Sequence, residues 1–156
     1  MDRATRERLV EQYEQGYDGV MRALAGAGER DLDAREAEGE WSPREVVHHL
    51  ADSEMASALR LRRLIAEDQP EIIGYDQEEY ARRLYYNRPI AASLAAFKAA
   101  RDSTAEILRA LTEEEWRRGG THNELGEFSV RIWLEYYAQH AHDHADQIRR
   151  ARAAVN

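Results

Sequence analysis

The chain has 156 residues, of which 43% are hydrophobic and 33% are charged, and its formal net charge is -8. This length suits one domain with its own core, and the acidic balance disfavours nucleic acid, whose phosphates would be repelled. Because the chain contains no cysteine, we exclude disulfides, thiolate metal ligands and a cysteine nucleophile. We find no signal-peptide pattern and no apolar run of about 20 residues, so we expect a cytoplasmic protein without a membrane partner.

The first half of the chain predicts two long helices. Apolar residues at helical spacing indicate a helix over about 5–24, and the polar stretch 29–40 is typical of a loop with at most a turn of helix. The second helix has a clear start, because Ser42 as N-cap, a proline after it and Glu45 form a capping box. We expect this helix to end before Pro70.

The second half predicts two more long helices. Asp76 is placed to cap a short helix, which precedes a third long helix over about 89–111. Thr112 and the glutamate three residues later form another capping box, and 119–127 is typical of a loop. Ser129 then caps the last long helix.

Four long amphipathic helices with one apolar stripe each predict an all-α fold, a four-helix bundle with short extra helices in its connections. We find no repeat, linker or low-complexity tract, so we expect a single domain over 1–156. Metal sites in bundles are commonly built from inward side chains on facing helices, which directs attention to the histidines.

The histidines of two long helices differ in the directions that they face. His140 and His144 lie four residues apart, so they share one face near the apolar stripe, whereas His142 points away and is expected in solvent. On the second helix, His49 faces a cleft and His48 is expected in solvent. Two histidines at this spacing are more often core or surface residues than ligands, but a third imidazole on a facing helix favours a metal site.

Three imidazoles suit a divalent first-row metal, and a metal with three protein ligands keeps an open position, as catalytic sites do. Some polar residues could border the cleft or be ordinary packing residues: Ser53, Tyr137 and Gln147. The nearest carboxylates in sequence could accept hydrogen bonds from the outer ring nitrogens of the histidines, but their positions on the helices direct none of them clearly toward these rings: Asp52, Glu54 and Asp143. His122 could flank the site, although we expect a surface histidine. No residue is singled out as a catalytic acid, base or nucleophile.

The motif over 41–54, WSPREVVHHLADSE, and the motif over 140–144, HAHDH, resemble the DinB superfamily. The resemblance covers essentially the whole chain, and the closest branch is that of the YfiT-like metal-dependent hydrolases and bacillithiol transferases. It implies a four-helix bundle that holds one divalent metal, nickel or zinc first, with manganese, iron or cobalt as alternatives. The metal ligands that the resemblance implies are His49, His140 and His144. Some relatives carry a further histidine where this chain has Asp143.

The resemblance favours an enzyme that transfers a low-molecular-weight thiol, such as bacillithiol, to an electrophilic substrate. Because the chain has no cysteine, that thiol must come from a substrate. The first alternative is a metal-dependent hydrolase in which the metal activates water, and it requires a general acid or base beside the metal. A further alternative is a metal-binding stress-response module without catalysis. A homodimer stays open as the assembly.

Overall fold

A computed structural model describes residues 1–155, and helices account for most of this part of the chain. In chain order they are α1 (Arg3–Leu24), α2 (Glu29–Leu32), α3 (Pro43–Ala66), α4 (Gln77–Arg83), α5 (Ala91–Ala110) and α6 (Val130–Ala153), with a 3-10 turn at Glu115–Arg117. The predicted four long helices with short extra helices between them are confirmed. No helix in the described residues is long and apolar enough to cross a bilayer.

The four long helices form a ring in which consecutive long helices α1 and α3 occupy opposite corners. Both α1 and α3 pack against α5 and α6. Tyr13 packs on Trp133 with ring centroids 5.4 Å apart, and Arg152 reaches the carbonyl oxygen of Ala23, so α1 and α6 run in the same direction. A long connection between α1 and α3 is therefore required, since the chain must cross the end of the bundle.

The helices that carry the two histidine motifs face each other and run in opposite directions. The indole nitrogen of Trp133, early in α6, donates to the carbonyl oxygen of Ser57, late in α3, over 2.9 Å. The ring of His49, early in α3, lies 5.4 Å from the ring of His140, which is later in α6. This antiparallel packing brings the two motifs to the same level of the bundle.

Several helix starts are those that local sequence predicts. Ser42 and Glu45 exchange two hydrogen bonds, of 3.3 Å and 2.7 Å, which form the expected capping box of α3. Ser129 caps α6, because its hydroxyl accepts a backbone N–H three residues later over 3.3 Å. Helix α5 starts at Ala91, two residues after Pro89, where the apolar pattern placed its beginning.

A small three-stranded sheet replaces the loop that we expected over 119–127. Strand β1 (Glu71–Ile72) pairs in parallel with β2 (Gly119–His122), which pairs antiparallel with β3 (Gly126–Ser129). A side chain at Gly120 would begin 2.1 Å from the carbonyl oxygen of Pro70, so only glycine allows these backbones to meet. The strands are too short for a periodic pattern, and the pairing of β1 with β2 is distant in sequence, which is why helix and loop signals alone missed the sheet.

The core consists of two apolar clusters joined by a charged side chain. Trp133 and Tyr13 belong to one cluster, and Phe97 belongs to the other. The guanidinium carbon of Arg101 lies 4.0 Å from the ring centroid of Tyr13 and 5.4 Å from that of Phe97. Arg101 is balanced by the buried carboxylate of Glu54, at 2.6 Å, so a buried ion pair crosses the centre of the bundle.

Candidate metal centre

His49, His140 and His144 converge between α3 and α6. The Nε2 atom of His140 lies 3.4 Å from Nε2 of His49 and 3.2 Å from Nε2 of His144. One ring nitrogen from each of the three residues lies within 4.8 Å of the others. His49 is buried, whereas the other two are only half-buried, so the cluster is reached from one side.

The hydrogen bond of His144 shows which nitrogen faces the cluster. The Nδ1 nitrogen of His144 donates to the side-chain oxygen of Gln147 over 2.8 Å. A neutral imidazole with its hydrogen on Nδ1 presents an unshared electron pair on Nε2, which is the form that binds a metal. Gln147 therefore borders the site, which is one of the two alternatives that the sequence left open, and it holds His144 in a metal-binding tautomer.

The spacing of the nitrogens fits a shared cation. Two bonds of 2.0–2.1 Å from one tetrahedral zinc ion place nitrogen atoms about 3.3 Å apart. The two short contacts, 3.4 Å from His49 to His140 and 3.2 Å from His144 to His140, agree with this spacing. Imidazole nitrogens with unshared pairs repel one another at such distances unless a proton or a metal ion lies between them. The donor set is therefore suited to a divalent first-row metal.

The surroundings keep the three imidazoles neutral. Burial and, to a smaller extent, the neighbouring His144 lower the pKa of His49 to about 3. Burial also lowers the pKa of His140 well below its ordinary value, with the other two histidines acting in the same direction. The pKa of His144 is lowered by burial, against the opposing effect of its bond to Gln147. Neutral rings are the form required of metal ligands.

Aromatic side chains surround the cluster. The ring of Trp41 lies 4.8 Å from that of His49. Tyr136 stacks on His140 at 5.5 Å, and Tyr137 meets the same ring edge-on at 5.7 Å. These rings fix the orientations of two histidines and reduce the access of water to them.

A cavity of about 230 Å³ lies beside the cluster. Its polar and aromatic lining includes Ser53, Arg60, Tyr75, His122, Tyr136 and Tyr137. Because Tyr136 and Tyr137 line the cavity and also contact His140, the cavity and the histidine cluster share a wall. Of the two alternatives that the sequence left open for Ser53 and Tyr137, the structure has the one in which both border the cleft.

The prediction that His48 is solvated is wrong. Its side chain is fully buried, with Nδ1 2.7 Å from the hydroxyl oxygen of Ser93 and Nε2 3.0 Å from the carbonyl oxygen of Arg88. The ring of Tyr86 lies 5.4 Å away. The connection between α4 and α5 folds over this face of α3, which a wheel of α3 alone cannot reveal.

The expectations for two other histidines are also wrong. His142 is half-buried against α1, and its Nε2 lies 2.9 Å from the carbonyl oxygen of Gln12. Gly19 on α1 leaves room for this ring, whose Nδ1 would lie 3.4 Å from an added Cβ. His122 is only 5% exposed, because the sheet turns it into the cavity and Phe128 packs against it at 5.4 Å.

The carboxylates closest in sequence to the histidines bind elsewhere. Asp52 accepts a hydrogen bond from the hydroxyl of Tyr86 over 2.6 Å. Asp143 accepts one from the side chain of Gln139 over 2.7 Å, and Glu54 pairs with an arginine in the core. No carboxylate pairs with the three clustered imidazoles within residues 1–155.

Arg60 is a cavity residue that the sequence reasoning missed. It lies eleven residues after His49, about three helical turns, so the two side chains project from the same face of α3. That spacing could have been noticed. The contribution of Tyr75 could not be predicted, because Tyr75 lies in the segment that follows β1, and the pairing of β1 with β2 brings this segment to the cavity.

The fold and the cluster define a four-helix bundle with a candidate metal centre between two facing helices. The family model of the DinB superfamily matches residues 12–148, and the chain belongs to this superfamily.

Known relatives carry names that refer to metal-dependent hydrolysis. A protein of Oceanobacillus iheyensis named "putative metal-dependent hydrolase" is 37% identical over 117 residues, which cover 75% of this chain and 68% of the relative. A Bacillus cereus protein with the same name is 26% identical over 147 residues, 94% of this chain and 85% of the relative.

A solved structure extends the likeness to three dimensions. YfiT from Bacillus subtilis, described as "a probable metal-dependent hydrolase with an unusual four-helix bundle topology", superposes with a TM-score of 0.92 at 25% identity. The match covers 99% of this chain and 90% of that structure. Together with the histidine cluster, these relatives point to a metal ion in this chain.

Proposed function

We propose that His49, His140 and His144 bind one divalent metal ion and that the chain transfers a low-molecular-weight thiol to an electrophilic substrate. The observation that carries this proposal is a cluster of three neutral imidazoles without a paired carboxylate in residues 1–155. A bound divalent ion lowers the pKa of a coordinated thiol, so a nucleophile forms near neutral pH without a separate base.

The residues around the cluster have separate roles in this proposal. Gln147 keeps the Nε2 nitrogen of His144 available, and Trp41 packs against His49. The cavity holds the electrophile, because Tyr136 and Tyr137 form a wall common to it and the cluster. The thiol is supplied by a second small molecule such as bacillithiol, since the chain has no cysteine. Nickel and zinc are the first candidates for the metal, because both bind imidazole well.

Hydrolysis is the second candidate function. It is favoured by the names of the relatives and by Glu124, a carboxylate that lines the same cavity. A carboxylate near the metal could accept a proton from the attacking water. In this alternative, the same three histidines hold the metal.

Elemental analysis of purified protein tests the metal site. We expect His49→Ala, His140→Ala and His144→Ala each to lose most of the metal, because a site with an open position has only three protein ligands and each substitution leaves two. The matched control is His142→Ala, which lies on the same helix and should retain wild-type metal content. Full metal content in all three variants would contradict the ligand assignment.

A paired assay distinguishes the two reactions. The metal-loaded protein is incubated with bacillithiol, cysteine or glutathione and an electrophile, and separately with ester and amide substrates. We expect thiol conjugation above the uncatalysed rate in the wild type and none in His140→Ala. Cleavage of esters or amides without thiol conjugation would contradict thiol transfer and would support hydrolysis as the function.

A further inference from the structure

The cavity beside the histidine cluster contains an arginine without an acidic partner. Arg60 donates to the carbonyl oxygen of Ile73 over 2.9 Å and to the hydroxyl oxygen of Tyr137 over 3.2 Å. Its guanidinium carbon lies 5.6 Å from the ring centroid of Tyr75. Neutral acceptors hold the side chain without cancelling its charge, and it forms no ion pair with a carboxylate within residues 1–155. The positive charge is therefore available to the cavity.

Two further hydrogen-bond donors line the same cavity. The hydroxyl of Tyr75 is buried and has no hydrogen-bond partner among the described residues, although Ser53 lies near it. The Nδ1 nitrogen of His122 accepts the backbone N–H of Glu124 over 3.2 Å, so the hydrogen of the neutral ring is on Nε2. That nitrogen makes no hydrogen bond within residues 1–155. A buried hydroxyl without a partner is costly, and a ligand oxygen would satisfy it.

The size and charge of the cavity limit the anion that fits. A volume of about 230 Å³ suits a small organic molecule. Leu125, Phe128 and Tyr136 supply apolar walls. Glu124 also lines the cavity, so a second negative charge on the ligand would be repelled. These features favour a carboxylate, with one charge, over a phosphate monoester, with nearly two.

We propose that Arg60, the Tyr75 hydroxyl and the His122 Nε2–H bind a carboxylate group of the substrate, whose apolar body extends toward the histidine cluster. Guanidinium is suited to this role, because its fork of N–H groups matches the two oxygens of a carboxylate. The substrate class is thus a small carboxylic acid with an apolar or aromatic body. The assignment rests on the proposed function, since it takes the histidine cluster as the reactive end of the cavity.

The test compares two ligands of the same shape and different charge. Phenylacetate and phenylacetamide are titrated into metal-loaded protein and into chelator-treated protein, with binding followed by two-dimensional NMR. We expect the carboxylate to bind about 10- to 100-fold more tightly than the amide in both forms, because a charged hydrogen bond to Arg60 is lost in the amide. Phenyl phosphate should bind less tightly than phenylacetate.

Variants identify the residue responsible. Arg60→Gln should remove the preference for the carboxylate, and Tyr75→Phe, which preserves the ring, should weaken carboxylate binding several-fold. The matched control is Arg62→Gln, because Arg62 lies on the same helix and also donates only to neutral groups, such as Thr104 at 3.2 Å, but does not line this cavity.

Clear results would overturn the assignment. Equal affinities for the two ligands, or an unchanged preference in a folded Arg60→Gln, would show that Arg60 does not bind the carboxylate. Carboxylate binding that disappears on chelation would show that the metal, rather than the arginine, holds it. Because binding to the chelated protein needs no turnover, loss of thiol transfer and loss of this subsite are separate outcomes.

Discussion

Replacement of Arg101 by methionine tests whether the buried ion pair holds the bundle together. The Arg101 guanidinium donates to a carboxylate oxygen of Glu54 over 2.6 Å, to the carbonyl oxygen of Tyr13 over 2.6 Å and to that of Tyr137 over 3.0 Å. One side chain on α5 thereby contacts the other three long helices. The side chains of the ion pair are only 2% and 1% exposed, so water cannot replace the lost contacts.

The expected cost of Arg101→Met is about 3–5 kcal/mol of unfolding free energy near neutral pH, because the Glu54 carboxyl in the core is left without a compensating positive charge. For a chain of this length, about 2–4 °C are lost per kcal/mol, so the melting temperature should fall by about 6–20 °C. The double variant Arg101→Met, Glu54→Leu should recover much of this loss, since it removes the buried charge as well.

The loss of stability in Arg101→Met should depend on pH in a defined direction. Burial raises the pKa of Glu54, while Arg101 and Tyr13 act to lower it, so removal of Arg101 leaves this pKa higher still. Above about pH 4.3 the unfolded chain has released the Glu54 proton. The folded variant holds that proton to higher pH than the folded wild type does, so its stability falls over a wider range of rising pH. The deficit relative to the wild type should therefore be smaller at about pH 5 than at about pH 7.5.

Denaturant and thermal unfolding followed by circular dichroism provide the measurement. The control is Asp102→Asn, which breaks the exposed pair between Asp102 and Lys98, with side chains 59% and 50% exposed. That substitution should cost at most about 1 kcal/mol. The reasoning about the buried pair would be refuted if Arg101→Met lowered the free energy of unfolding no more than the control does. It would also be refuted if the difference in stability between the variant and the wild type did not grow with pH.

Three other predictions concern the metal and the helix packing. Gln147→Leu should weaken metal affinity about 10- to 100-fold in a chelator competition, because His144 loses its partner, whereas Gln139→Leu on the same helix should not. Chelation should lower the melting temperature and leave the far-ultraviolet circular dichroism unchanged at room temperature, since the metal stabilises by binding the folded state; loss of helical signal would mean a structural site. Gly16→Ala should cost about 1–3 kcal/mol in thermal unfolding, because the new Cβ would lie 2.8 Å from that of Ala141. An unchanged stability would show that α1 can move aside.

Local sequence signals were sufficient for the long helices and for the shared face of His140 and His144. Capping by Ser42 and Ser129 involves residues three apart, and the shared face of His140 and His144 is set by one helical turn. Such relations depend on the geometry of a single helix. They could therefore be worked out before any tertiary contact was known.

The environment of each histidine depended on elements far away in the chain. His48 looks solvated on a wheel of α3, yet it is buried by a connection about forty residues later, in which Arg88 supplies a hydrogen-bond acceptor. His142 was misplaced because the glycine-containing face of α1 packs closely on α6. A helical wheel reports phase, but burial is decided by what packs on each face.

The cavity is the feature that tertiary structure alone decided. Arg60 shares a helical face with His49, which the sequence by itself determined. That Tyr75 and His122 join Arg60 around one space depends on the pairing of β1 with β2, across about fifty residues. Strands of two and four residues are too short for a periodic pattern in the sequence. The need for glycine at position 120 is explained only by the close approach of the Pro70 carbonyl oxygen. The helices and the directions of their histidines follow from short-range geometry, whereas the cavity forms only when segments that are distant in sequence pack together.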